Sequence, residues 1–500
     1  MELSKLLEGV HVTKMFQTMF GRMVVTHDIE VRQLQYDSRK VEKSDAFVAI
    51  RGTAFDGHRF IDDAVNRGAK VVVVEDDAVR PDSFFMHAGV VKVVVPDARR
   101  ALAGMSANFY GHPSRKLRLV GVTGTNGKTT TAYLIASLLE KAGLIGTIEY
   151  RIGHDTYPAT HTTPESLEMN AFLADMVRQG CDSAVMEVSS HALHQHRVGG
   201  LEFEVAVFTN LTQDHLDYHG TMEGYSRAKK SLFDGLDAKA RAITNVDDDY
   251  GMNMVLDCKA GVVTYGEGRS ADVRATNVQL AIAGTRLSVV HKRETTVLES
   301  RLIGKFNVYN LLAGFATGLA LGLTKQELRE KIGQFSPVRG RFERIVTPAG
   351  FTVIIDYAHT PDALKNCLEA IHTIMTDSRN HGRVITVFGC GGNRDRGKRP
   401  KMGRIASELS DVTIITSDNP RMEDPHGIIR EVAAGVVHGS VVHQQPDRRE
   451  AIRQALHEAR QGDVVLVAGK GHETYQVVGD EKIPFSDHAV VDEVMHSLSV

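Results

Sequence analysis

The sequence is short of several features that would define other classes of protein. It has no tryptophan, only four cysteines among 500 residues, and no apolar run long enough for a membrane span. The cysteines are scattered without the spacing of metal ligands, which favours a reducing cytosol over a disulfide framework. The first thirty residues are interrupted by charges and contain no apolar core of signal-peptide type. We therefore expect a cytoplasmic protein that does not act at a membrane.

Neither sign of charge dominates the composition. Lys and Arg together number 59 against 62 Asp and Glu, which gives a net charge of −3. This balance argues against a nucleic-acid partner for the chain as a whole. Apolar residues at 42% and charged residues at 24% are ordinary for a globular protein. A chain of 500 residues exceeds what one core usually serves, so we expect about three domains.

One glycine-rich stretch carries the clearest chemical signal. It reads GVTGTNGKTTT from Gly121 to Thr131, follows an apolar run, and opens a helical pattern whose apolar face extends to Ala142. Its glycines allow a tight turn around phosphate, Lys128 supplies a cation, and Thr129 offers a hydroxyl to magnesium. The spacing departs from the standard pattern, because Val122 stands where the first glycine would fall. The alternative is a glycine-rich turn with an incidental lysine.

Two further apolar runs end in polar clusters. Asp182–Met186 is followed by Glu187, and Val205–Phe208 leads into TNLTQDHLDYHG, which contains His215. A carboxylate at the end of a strand near a phosphate loop is placed to hold magnesium, although a surface glutamate is an equally good interpretation of this segment. The dense second cluster indicates a further metal or phosphate contact. Zinc is less favoured, because the segment lacks a recognised ligand pair.

Two helical segments of the middle region allow two interpretations each. Lys229 and Lys230 lie in a helical pattern, and helix geometry alone favours a solvated cationic face. Asn307 and Asn310 share the first turn of an apolar helix that is predicted over 307–322. That helix is either a core helix with a polar start or one that presents two amides to a nucleobase. Residues 272–303 alternate in polarity and predict antiparallel strands.

The last 160 residues or so repeat a rhythm of strand and helix that predicts a Rossmann-like sheet. Polar motifs follow each of four apolar runs, and ligands of such sheets bind at the carboxyl ends of the strands, so we expect the motifs to converge on one crevice. The motifs are DYAHTPDAL, GCGGNRDRGKRPKM, SDNPRMEDP and GKGHETYQ. The cation-rich NRDRGKRPK also allows a nucleic-acid patch, which we discount because no aromatic residues interleave.

These patterns predict an α/β protein of three domains. A small N-terminal α/β domain is expected over 1–112, with strands at Ala46–Ile50 and Val71–Glu75 and a helix at Phe60–Gly68. A central domain with a P-loop-type, mostly parallel sheet and helices on both faces is expected over 113–340. The Rossmann-like domain is expected over 341–500. In the first domain, YDSRK reads as a solvated loop, although its serine and arginine suit a polar ligand.

The motifs together resemble the Mur ligases of peptidoglycan synthesis over nearly the whole chain. Besides those above, HTTPESLE, MEVSSHAL, GKFNVYNLLA and GRFE carry the resemblance. The likeness is greatest to the ligases that add the third residue of the stem peptide. The shifted glycine of the phosphate loop is the family's own variant. His161 departs from the asparagine of some relatives.

The resemblance implies a role for each matching position. It implies that Lys229 is carbamylated by CO2 to an N6-carboxylysine, which overturns the solvated-face interpretation of that residue. Lys128, Lys229, Glu187 and His215 are the implied catalytic residues. The implied ligands are, for ATP, Gly124, Thr125, Asn126, Gly127, Lys128, Thr129, Thr130, Asn307, Asn310, Arg341 and Asp356; for Mg²⁺, Thr129, Glu187, His215 and Lys229; for the UDP-muramoyl peptide, Ser38, Thr162, Thr163, Ser189, Gln195 and Arg197; and for diaminopimelate, Arg394, Asp418, Asn419, Pro420, Arg421, Gly469 and Glu473.

The implied reaction joins meso-diaminopimelate to UDP-N-acetylmuramoyl-L-alanyl-D-glutamate. ATP phosphorylates the D-glutamyl γ-carboxylate, and the amine of the amino acid then displaces phosphate from the acyl phosphate. The sequence contains no persuasive nucleophilic triad, and this route requires none. A monomer is expected. Three alternatives stay open: the same reaction with L-lysine, a ligase of the folylpolyglutamate synthase type, and a regulator that binds ATP without making a bond.

Overall fold

The computed structural model describes residues 1–16, 18–19, 22–23, 29–52, 55–377 and 381–498. The chain divides into two compact units. The first contains Met1–Gly121 and Lys141–Glu204, and the second contains Val122–Glu140 and Val205–Val500. Each unit is described by itself.

The N-terminal part of the first unit is a five-stranded sheet with helices. Neighbouring strands are parallel except for the first, in the order β1-β7-β6-β5-β4. A separate short hairpin is formed by β2 and β3. The elements are α1 (Leu3–Leu6), β1 (Lys14–Phe16), β2 (Thr18–Met19), β3 (Arg22–Met23), β4 (Leu34–Gln35), β5 (Ala46–Val48), α2 (Ile61–Asn66), β6 (Val71–Val74), α3 (Asp82–Ala88), β7 (Val91–Val94) and α4 (Ala98–Phe109).

The strand β6 shows why this sheet forms. Val71 and Val73 pack in one hydrophobic cluster, and Val72 and Val74 pack in another. Both faces of the sheet are therefore covered, which is the setting in which a continuous run of β-branched residues is favoured. The predicted strands and helix of this region are confirmed with ends shifted by one to two residues.

The next segment of the chain belongs partly to each unit, because the boundary between Gly121 and Val122 falls within its first strand. Within the first unit the strands pair in the order β11-β10-β9-β12, and β9 and β12 are parallel. The elements are β8 (Arg118–Thr123), α5 (Lys128–Leu138), β9 (Ala142–Ile145), β10 (Glu149–Ile152), β11 (Asp155–Pro158), α6 (Ser166–Arg178), β12 (Ser183–Glu187) and α7 (Ser190–His194).

The predicted helix after the phosphate loop is wrong at its end. Helix α5 ends at Leu138, and Ala142 begins a strand rather than completing the apolar face of the helix. Leu139 is already extended, with φ −102° and ψ 145°. Gly143, which is a poor helix former, lies where a Cβ would approach the Met176 sulfur to 2.3 Å. Close packing of Gly143 against α6 therefore favours a strand here over a continuation of the helix.

The part of the second unit from Val205 to Gln334 has parallel strands first and antiparallel strands after them. β13, β14, β15 and β16 are parallel neighbours, and β16, β17 and β18 are antiparallel, as predicted for 272–303. The elements are β13 (Val205–Phe208), α8 (Leu216–His219), α9 (Met222–Asp234), β14 (Arg241–Asn245), α10 (Gly251–Met254), β15 (Gly261–Gly266), β16 (Val273–Ala281), β17 (Gly284–His291), β18 (Glu294–Ser300), α11 (Lys305–Ala320) and α12 (Lys325–Gln334).

The C-terminal part of the second unit is a six-stranded sheet in the order β19-β20-β24-β21-β22-β23, parallel except for β19. Alternate residues of β20 and β24 enter two different clusters, so this sheet is also covered on both faces. The elements are β19 (Glu343–Val346), β20 (Thr352–Asp356), α13 (Pro361–Asp377), β21 (Val384–Cys390), α14 (Lys398–Leu409), β22 (Val412–Ser417), α15 (Pro425–Ala433), β23 (Val441–Gln444), α16 (Arg448–Glu458), β24 (Val464–Ala468), β25 (Tyr475–Val478), β26 (Glu481–Pro484) and α17 (Asp487–Leu498).

Candidate active site

The predicted phosphate loop lies between β8 and α5. Gly124 and Gly127 adopt φ angles of 151° and 81°. A Cβ on Gly124 would lie 1.8 Å from Thr209 Oγ1, and one on Gly127 would lie 2.4 Å from Asn310 Oδ1. Only glycine fits either position. The loop leads directly into the N-terminus of α5, where backbone N–H groups without helical partners favour an anion.

Lys128 is the first residue of α5 and extends over the loop. Its Nζ donates to the carbonyl oxygens of Gly124 at 3.0 Å and Thr125 at 2.8 Å. Thr129 and Thr130 follow it and are buried. The cation and the hydroxyls that the sequence predicts for one phosphate site therefore lie on one helical turn.

The end of β13 holds the main chain of Asn126. Asn210 Oδ1 accepts from the Asn126 N–H at 2.9 Å, and its Nδ2 donates to the Asn126 carbonyl at 3.1 Å. The Thr209 hydroxyl donates to the same carbonyl at 2.7 Å. The sequence placed Asn210 in a metal or phosphate cluster, whereas here it fixes the shape of the phosphate loop. Thr209 was missed, because a threonine at a strand end carries no signal of its own.

Asp362 is a second residue that sequence reasoning missed. Its Oδ2 accepts from the side chains of Asn126 at 2.9 Å, Asn366 at 3.1 Å and Thr212 at 3.3 Å. Burial raises the pKa of Asp362. This contact ties the first turn of α13 to the phosphate loop. The only signal in the sequence was its place in the motif DYAHTPDAL.

Lys229 is buried, with 1% of its surface exposed, so the solvated-face interpretation is wrong for this residue. Its Nζ donates to the Gly124 carbonyl at 2.7 Å and lies 4.6 Å from the centre of the Tyr225 ring. Burial lowers its pKa well below the ordinary value, and nearby Lys128 lowers it further. A lysine in this setting favours the neutral amine, which is the form that reacts with CO2. Lys230 is partly exposed and pairs with Asp234 and Asp257.

His215 and Asp214 lie near Tyr225. The ring centres of His215 and Tyr225 are 6.1 Å apart, and His215 Nε2 is 3.4 Å from Asp214 Oδ2. Burial alone would raise the pKa of Asp214, but the electrostatic influence of His215, His359 and Lys398 outweighs it, and the net shift of the pKa is downward. His215 has φ 54°, in the left-handed region.

The two predicted adenine ligands are buried in the first turns of α11. Asn307 Nδ2 donates to the Ile303 carbonyl at 2.8 Å, and Asn310 Nδ2 donates to Asn307 Oδ1 at 2.7 Å. Asn310 Oδ1 accepts from the Thr131 hydroxyl at 3.2 Å and packs against Gly127. The pair therefore contacts the phosphate loop itself.

Arg341 and Asp356 also lie together. Asp356 Oδ2 accepts from the N–H of Phe342 at 2.6 Å, and the Arg341 guanidinium stacks 4.6 Å from the centre of the Tyr357 ring. Burial raises the pKa of Asp356, and Arg341 opposes that shift. Arg341 Nε is buried without a protein partner. The Arg341 side chain is thus held against Tyr357 while its Nε keeps its capacity to donate to a ligand.

In the first unit, Glu187 ends β12 beside Thr147. The Thr147 N–H donates to Glu187 Oε1 at 2.8 Å, and its hydroxyl contacts Oε2 and Thr162 Oγ1, both at 3.1 Å. Thr163 donates to the Glu187 carbonyl at 2.8 Å. Thr162 and Thr163, which were predicted to bind the UDP-muramoyl peptide, thus lie beside Glu187, which was predicted to bind magnesium. Their roles as ligands stay predictions.

The remaining residues predicted for the UDP-muramoyl peptide continue from this group. Ser189 accepts from the Ala192 N–H and caps the short helix α7. Arg197 Nη1 donates to the Thr163 carbonyl at 2.9 Å, Nη2 donates to Gln195 Oε1 at 2.7 Å, and Nε is 2.8 Å from Glu165. Ser38 lies in a 3₁₀ turn, Ser38–Lys40, that Asp37 caps, and is buried. The neighbouring Tyr36 donates to Glu168 of α6 at 2.8 Å.

Two arginines predicted for diaminopimelate flank Gly391. A Cβ on Gly391 would lie 2.9 Å from Arg421 Nη1 and 3.9 Å from the Arg394 Cγ. Burial lowers the pKa of the Arg421 guanidinium, and Arg394 adds to that shift. Arg421 Nη1 donates to the Gly392 carbonyl at 2.9 Å. Two neighbouring guanidinium groups of this kind favour a carboxylate.

Glu473 supplies the opposite charge beside the arginines. Its Oε2 accepts from Asn419 Nδ2 at 2.9 Å and from Lys470 Nζ at 2.7 Å. Lys470 is fully buried and also donates to Asn419 Oδ1 at 3.1 Å. Asp418 is buried next to Gly469, where a Cβ would lie 3.3 Å from its Oδ2. Pro420 follows in the same loop, and a Cβ on Gly392 would meet its carbonyl at 1.8 Å.

The four C-terminal motifs contact one another as predicted. The Gly469 N–H donates to the Asp356 carbonyl at 3.0 Å, and the Gly392 N–H donates to the Asn419 carbonyl at 2.9 Å. Parallel strands place these ends at one edge of the sheet. Lys470 was missed, because a lysine inside GKGHETYQ does not reveal that it is buried.

The described residues contain neither a cluster of three metal-binding side chains nor a helix that could span a membrane. No group of three or more His, Cys, Asp and Glu among them is arranged to hold a metal ion. Over the same part of the chain, no helix combines the length and apolarity that crossing a bilayer requires.

The phosphate loop at the N-terminus of α5, together with the loops that carry Arg421 and Glu473, fits the class of ATP-dependent ligases. Three family models match the chain: the Mur ligase family catalytic domain at residues 30–110, the Mur ligase middle domain at 122–318, and the Mur ligase glutamate ligase domain at 340–471. Together with the relatives described next, they show that the chain belongs to the Mur ligase family.

Curated relatives cover nearly the whole chain. A protein of Geobacter metallireducens is 46% identical over 94% of this chain and 95% of its own length. A protein of Geobacillus thermodenitrificans is 46% identical over 92% of this chain and 94% of its own. Both are named UDP-N-acetylmuramoyl-L-alanyl-D-glutamate–2,6-diaminopimelate ligase.

Solved structures confirm the predicted three-domain α/β fold with its mostly parallel central sheet. A structure of UDP-N-acetylmuramoyl-L-alanyl-D-glutamate–2,6-diaminopimelate ligase has a TM-score of 0.66 and 33% identity, covering 94% of this chain and 96% of that one. The MurF ligase of Thermotoga maritima in complex with ADP has a TM-score of 0.61, 20% identity, and coverage of 95% and 98%.

Proposed function

We propose that this chain is the ATP-dependent ligase that joins meso-diaminopimelate to UDP-N-acetylmuramoyl-L-alanyl-D-glutamate in cytoplasmic synthesis of peptidoglycan precursors. The observation that carries the choice of amino acid is the placement of Arg394 and Arg421 around Gly391. Asn419 links Arg421 to Glu473, because its carbonyl accepts from Arg421 at 3.4 Å and its side-chain amide donates to Glu473 at 2.9 Å. The distal end of diaminopimelate bears a carboxylate and an ammonium, which match the guanidinium groups and the Glu473 carboxylate. L-Lysine has only the ammonium there and would leave Arg421 unpaired.

ATP is assigned to the phosphate loop and the residues around it. Lys128 and the N-terminus of α5 contact the phosphates. Their positive charge stabilises the transition state more than the bound ATP, because negative charge develops on the phosphoryl group as it is transferred. Asn307 and Asn310 contact the adenine side, and Arg341 and Asp356 contact phosphate and ribose. The fit is supported by the two glycines that leave no room for a Cβ and by the buried Arg341 Nε, which has no protein partner.

Magnesium is assigned to Thr129, Glu187, His215 and a carbamylated Lys229. The neutral amine that burial favours at Lys229 reacts with CO2 and becomes an anion with oxygen ligands, which suit a hard cation. The unmodified chain offers no triad of His, Cys, Asp and Glu among its described residues, so this assignment depends on the modification. When bound, the ion supplies positive charge that offsets the charge on the transferred phosphoryl group.

The first unit is assigned the UDP-muramoyl peptide. Ser38, Thr162, Thr163, Ser189, Gln195 and Arg197 supply its hydroxyl, amide and guanidinium contacts. The D-glutamyl γ-carboxylate attacks the γ-phosphorus of ATP, releasing ADP and forming an acyl phosphate. The amine of diaminopimelate then attacks the acyl carbon, loses a proton, and displaces phosphate. The chain binds and orients the reactants and needs no side-chain nucleophile.

The three proposed domains follow this division of substrates. The N-terminal domain, 1–112, binds the UDP end, the central domain, 113–340, binds ATP, and the C-terminal domain, 341–500, binds the amino acid. The residues matched by the three family models support these limits without fixing them. We expect the protein to act as a monomer, which sedimentation velocity can test.

The proposed function is tested by product mass and ADP release. The purified protein is incubated with ATP, magnesium and UDP-muramoyl dipeptide, and with meso-diaminopimelate or L-lysine in parallel. We expect the diaminopimelate product and ADP in equal amounts. A lysine product would assign the lysine-adding reaction instead, and glutamate addition to a folate would assign the folylpolyglutamate type. ATP binding without ADP release in the complete mixture would indicate a regulator.

A further inference from the structure

Arg399, near the start of α14, is a fully buried arginine outside the predicted site. None of its surface is exposed. Its Nη1 and Nη2 donate to the two carboxylate oxygens of Glu423, each at 2.9 Å. Nη1 also donates to Glu431 at 2.7 Å, and Nη2 donates to the Gly391 carbonyl at 3.1 Å. Two parallel bonds from one guanidinium to one carboxylate form a planar fork, a geometry that lysine cannot reproduce.

Glu423 passes this constraint to the loop that carries Arg394. Its Oε1 also accepts from the Asn393 N–H, and the side chain of Asn393 accepts from the Met422 N–H at 3.1 Å. Arg399 therefore contacts Gly391 in one loop and Glu423 in the other, while Glu423 holds the residue before Arg394. The Arg399–Glu423 ion pair therefore contacts the loop at 391–394 through the Gly391 carbonyl and the Asn393 N–H, and Glu423 itself belongs to the loop at 418–423.

The backbone next to both arginines of the site is held in an unfavourable conformation. Arg421 has φ 51°, in the left-handed region that most residues with a Cβ avoid, and Asn393 has φ 52°, in the same region, which asparagine tolerates better than most residues. Such conformations persist where the surroundings determine them. The main chain of Arg421 is fixed by the Val477 carbonyl at 3.0 Å and the Gly479 N–H at 2.8 Å. Asn393 is fixed by Glu423.

We propose that the Arg399–Glu423 fork positions Arg394 relative to Arg421 and thereby sets selectivity for the distal carboxylate of the amino acid. Arg399 and Glu423 are positioning residues, since they act through the loops. The inference rests on the proposed function, because its site is the one assigned to diaminopimelate. Two guanidinium groups at a fixed separation recognise a carboxylate, whereas loops free to move apart recognise it less well and discriminate less against lysine.

The variants Glu423→Gln, Arg399→Met and Arg399→Lys test this role. Glu423→Gln keeps the shape and removes the charge, and Arg399→Lys keeps the charge and removes the fork. Arg396→Gln is the matched control, because Arg396 pairs with the same Glu431 as Arg399 but lies at the surface. For each variant we measure KM for diaminopimelate and ATP, the ratio of kcat/KM for diaminopimelate over L-lysine, and the urea midpoint of unfolding.

We expect the three fork variants to raise KM for diaminopimelate, and to lower the ratio, each by at least about tenfold, while KM for ATP stays within about twofold. The control should leave the ratio unchanged. A folded Glu423→Gln enzyme with the wild-type ratio would overturn the inference, as would an equal loss in the control. If Arg399→Met does not fold, Glu423→Gln decides alone. Failure of the wild type to use diaminopimelate would instead refute the proposed function.

Discussion

Replacing Lys229 with methionine separates the contribution of this residue to stability from its contribution to activity. Methionine fills a similar volume without a charge. The change removes one hydrogen bond, to the Gly124 carbonyl, whose loss costs about 1 kcal/mol, and a contact with the Tyr225 ring. It also removes the desolvation cost of an amine with 1% of its surface exposed. The opposed effects predict a free energy of unfolding within about 1 kcal/mol of the wild type or above it.

The lowered pKa of Lys229 predicts how the free energy of unfolding changes with pH. The pKa of Lys229 is lowered in the folded state from its ordinary 10.5, so between the lowered value and 10.5 the unfolded chain binds one more proton. In that window Lys229 makes wild-type stability rise with pH, by up to about 1.4 kcal/mol per unit. Lys229→Met lacks this contribution, so the stability of the variant should gain relative to the wild type when the pH is lowered between two values below 10.5 in CO2-free buffer.

Ligase activity should respond in the opposite way. Loss of a carbamate that holds magnesium should lower kcat by at least about a hundredfold, a typical effect of removing one electrostatic group at a reacting phosphate. The assays are urea unfolding at the two pH values, ADP release, and NMR with ¹³C-labelled bicarbonate, in which only the wild type should show a carbamate signal. Lys230→Met is the control, because that lysine pairs with surface acids. Activity of Lys229→Met within about tenfold of the wild type would refute the reasoning.

Three further changes have defined outcomes. Lys128→Ala should lower kcat by more than about a hundredfold in the ADP-release assay, and turnover within tenfold would contradict its role. Asp362→Ala removes the acceptor that ties α13 to the Asn126 side chain, so KM for ATP should rise by about tenfold with KM for diaminopimelate unchanged; the reverse pattern would count against the contact. Lys470→Met leaves Glu473 without its buried cation and should cost about 3 kcal/mol in urea unfolding. An unchanged unfolding midpoint would show that the pair is not stabilising.

Much of the fold could be predicted from the sequence because buried parallel strands leave continuous apolar runs. Val205–Phe208 was predicted with its observed ends. The apolar face that was extended to Ala142 failed, because periodicity cannot register that Gly143 packs closely against α6. Local pattern gave the type of element, and tertiary packing decided where it ended.

Site residues that belong to a local sequence motif could be predicted, whereas residues whose role depends on burial could not. Lys128 and the two glycines follow from their own spacing. Lys229 looked solvated from helix geometry alone, and only the family resemblance corrected it. Arg399 lies in a cation-rich run for which the sequence analysis weighed, and discounted, a nucleic-acid patch. Its partners are 24 and 32 residues away in sequence. Pairing over that distance is set by the fold.

The central claim is that Arg421 selects diaminopimelate over lysine. The most direct measurement is the ratio of kcat/KM for meso-diaminopimelate to that for L-lysine, in the wild type and in Arg421→Ala. We expect a wild-type ratio of at least about 100, and a loss in the variant of roughly 2 to 4 kcal/mol of transition-state stabilisation for diaminopimelate. A ratio that the substitution leaves unchanged would contradict the account.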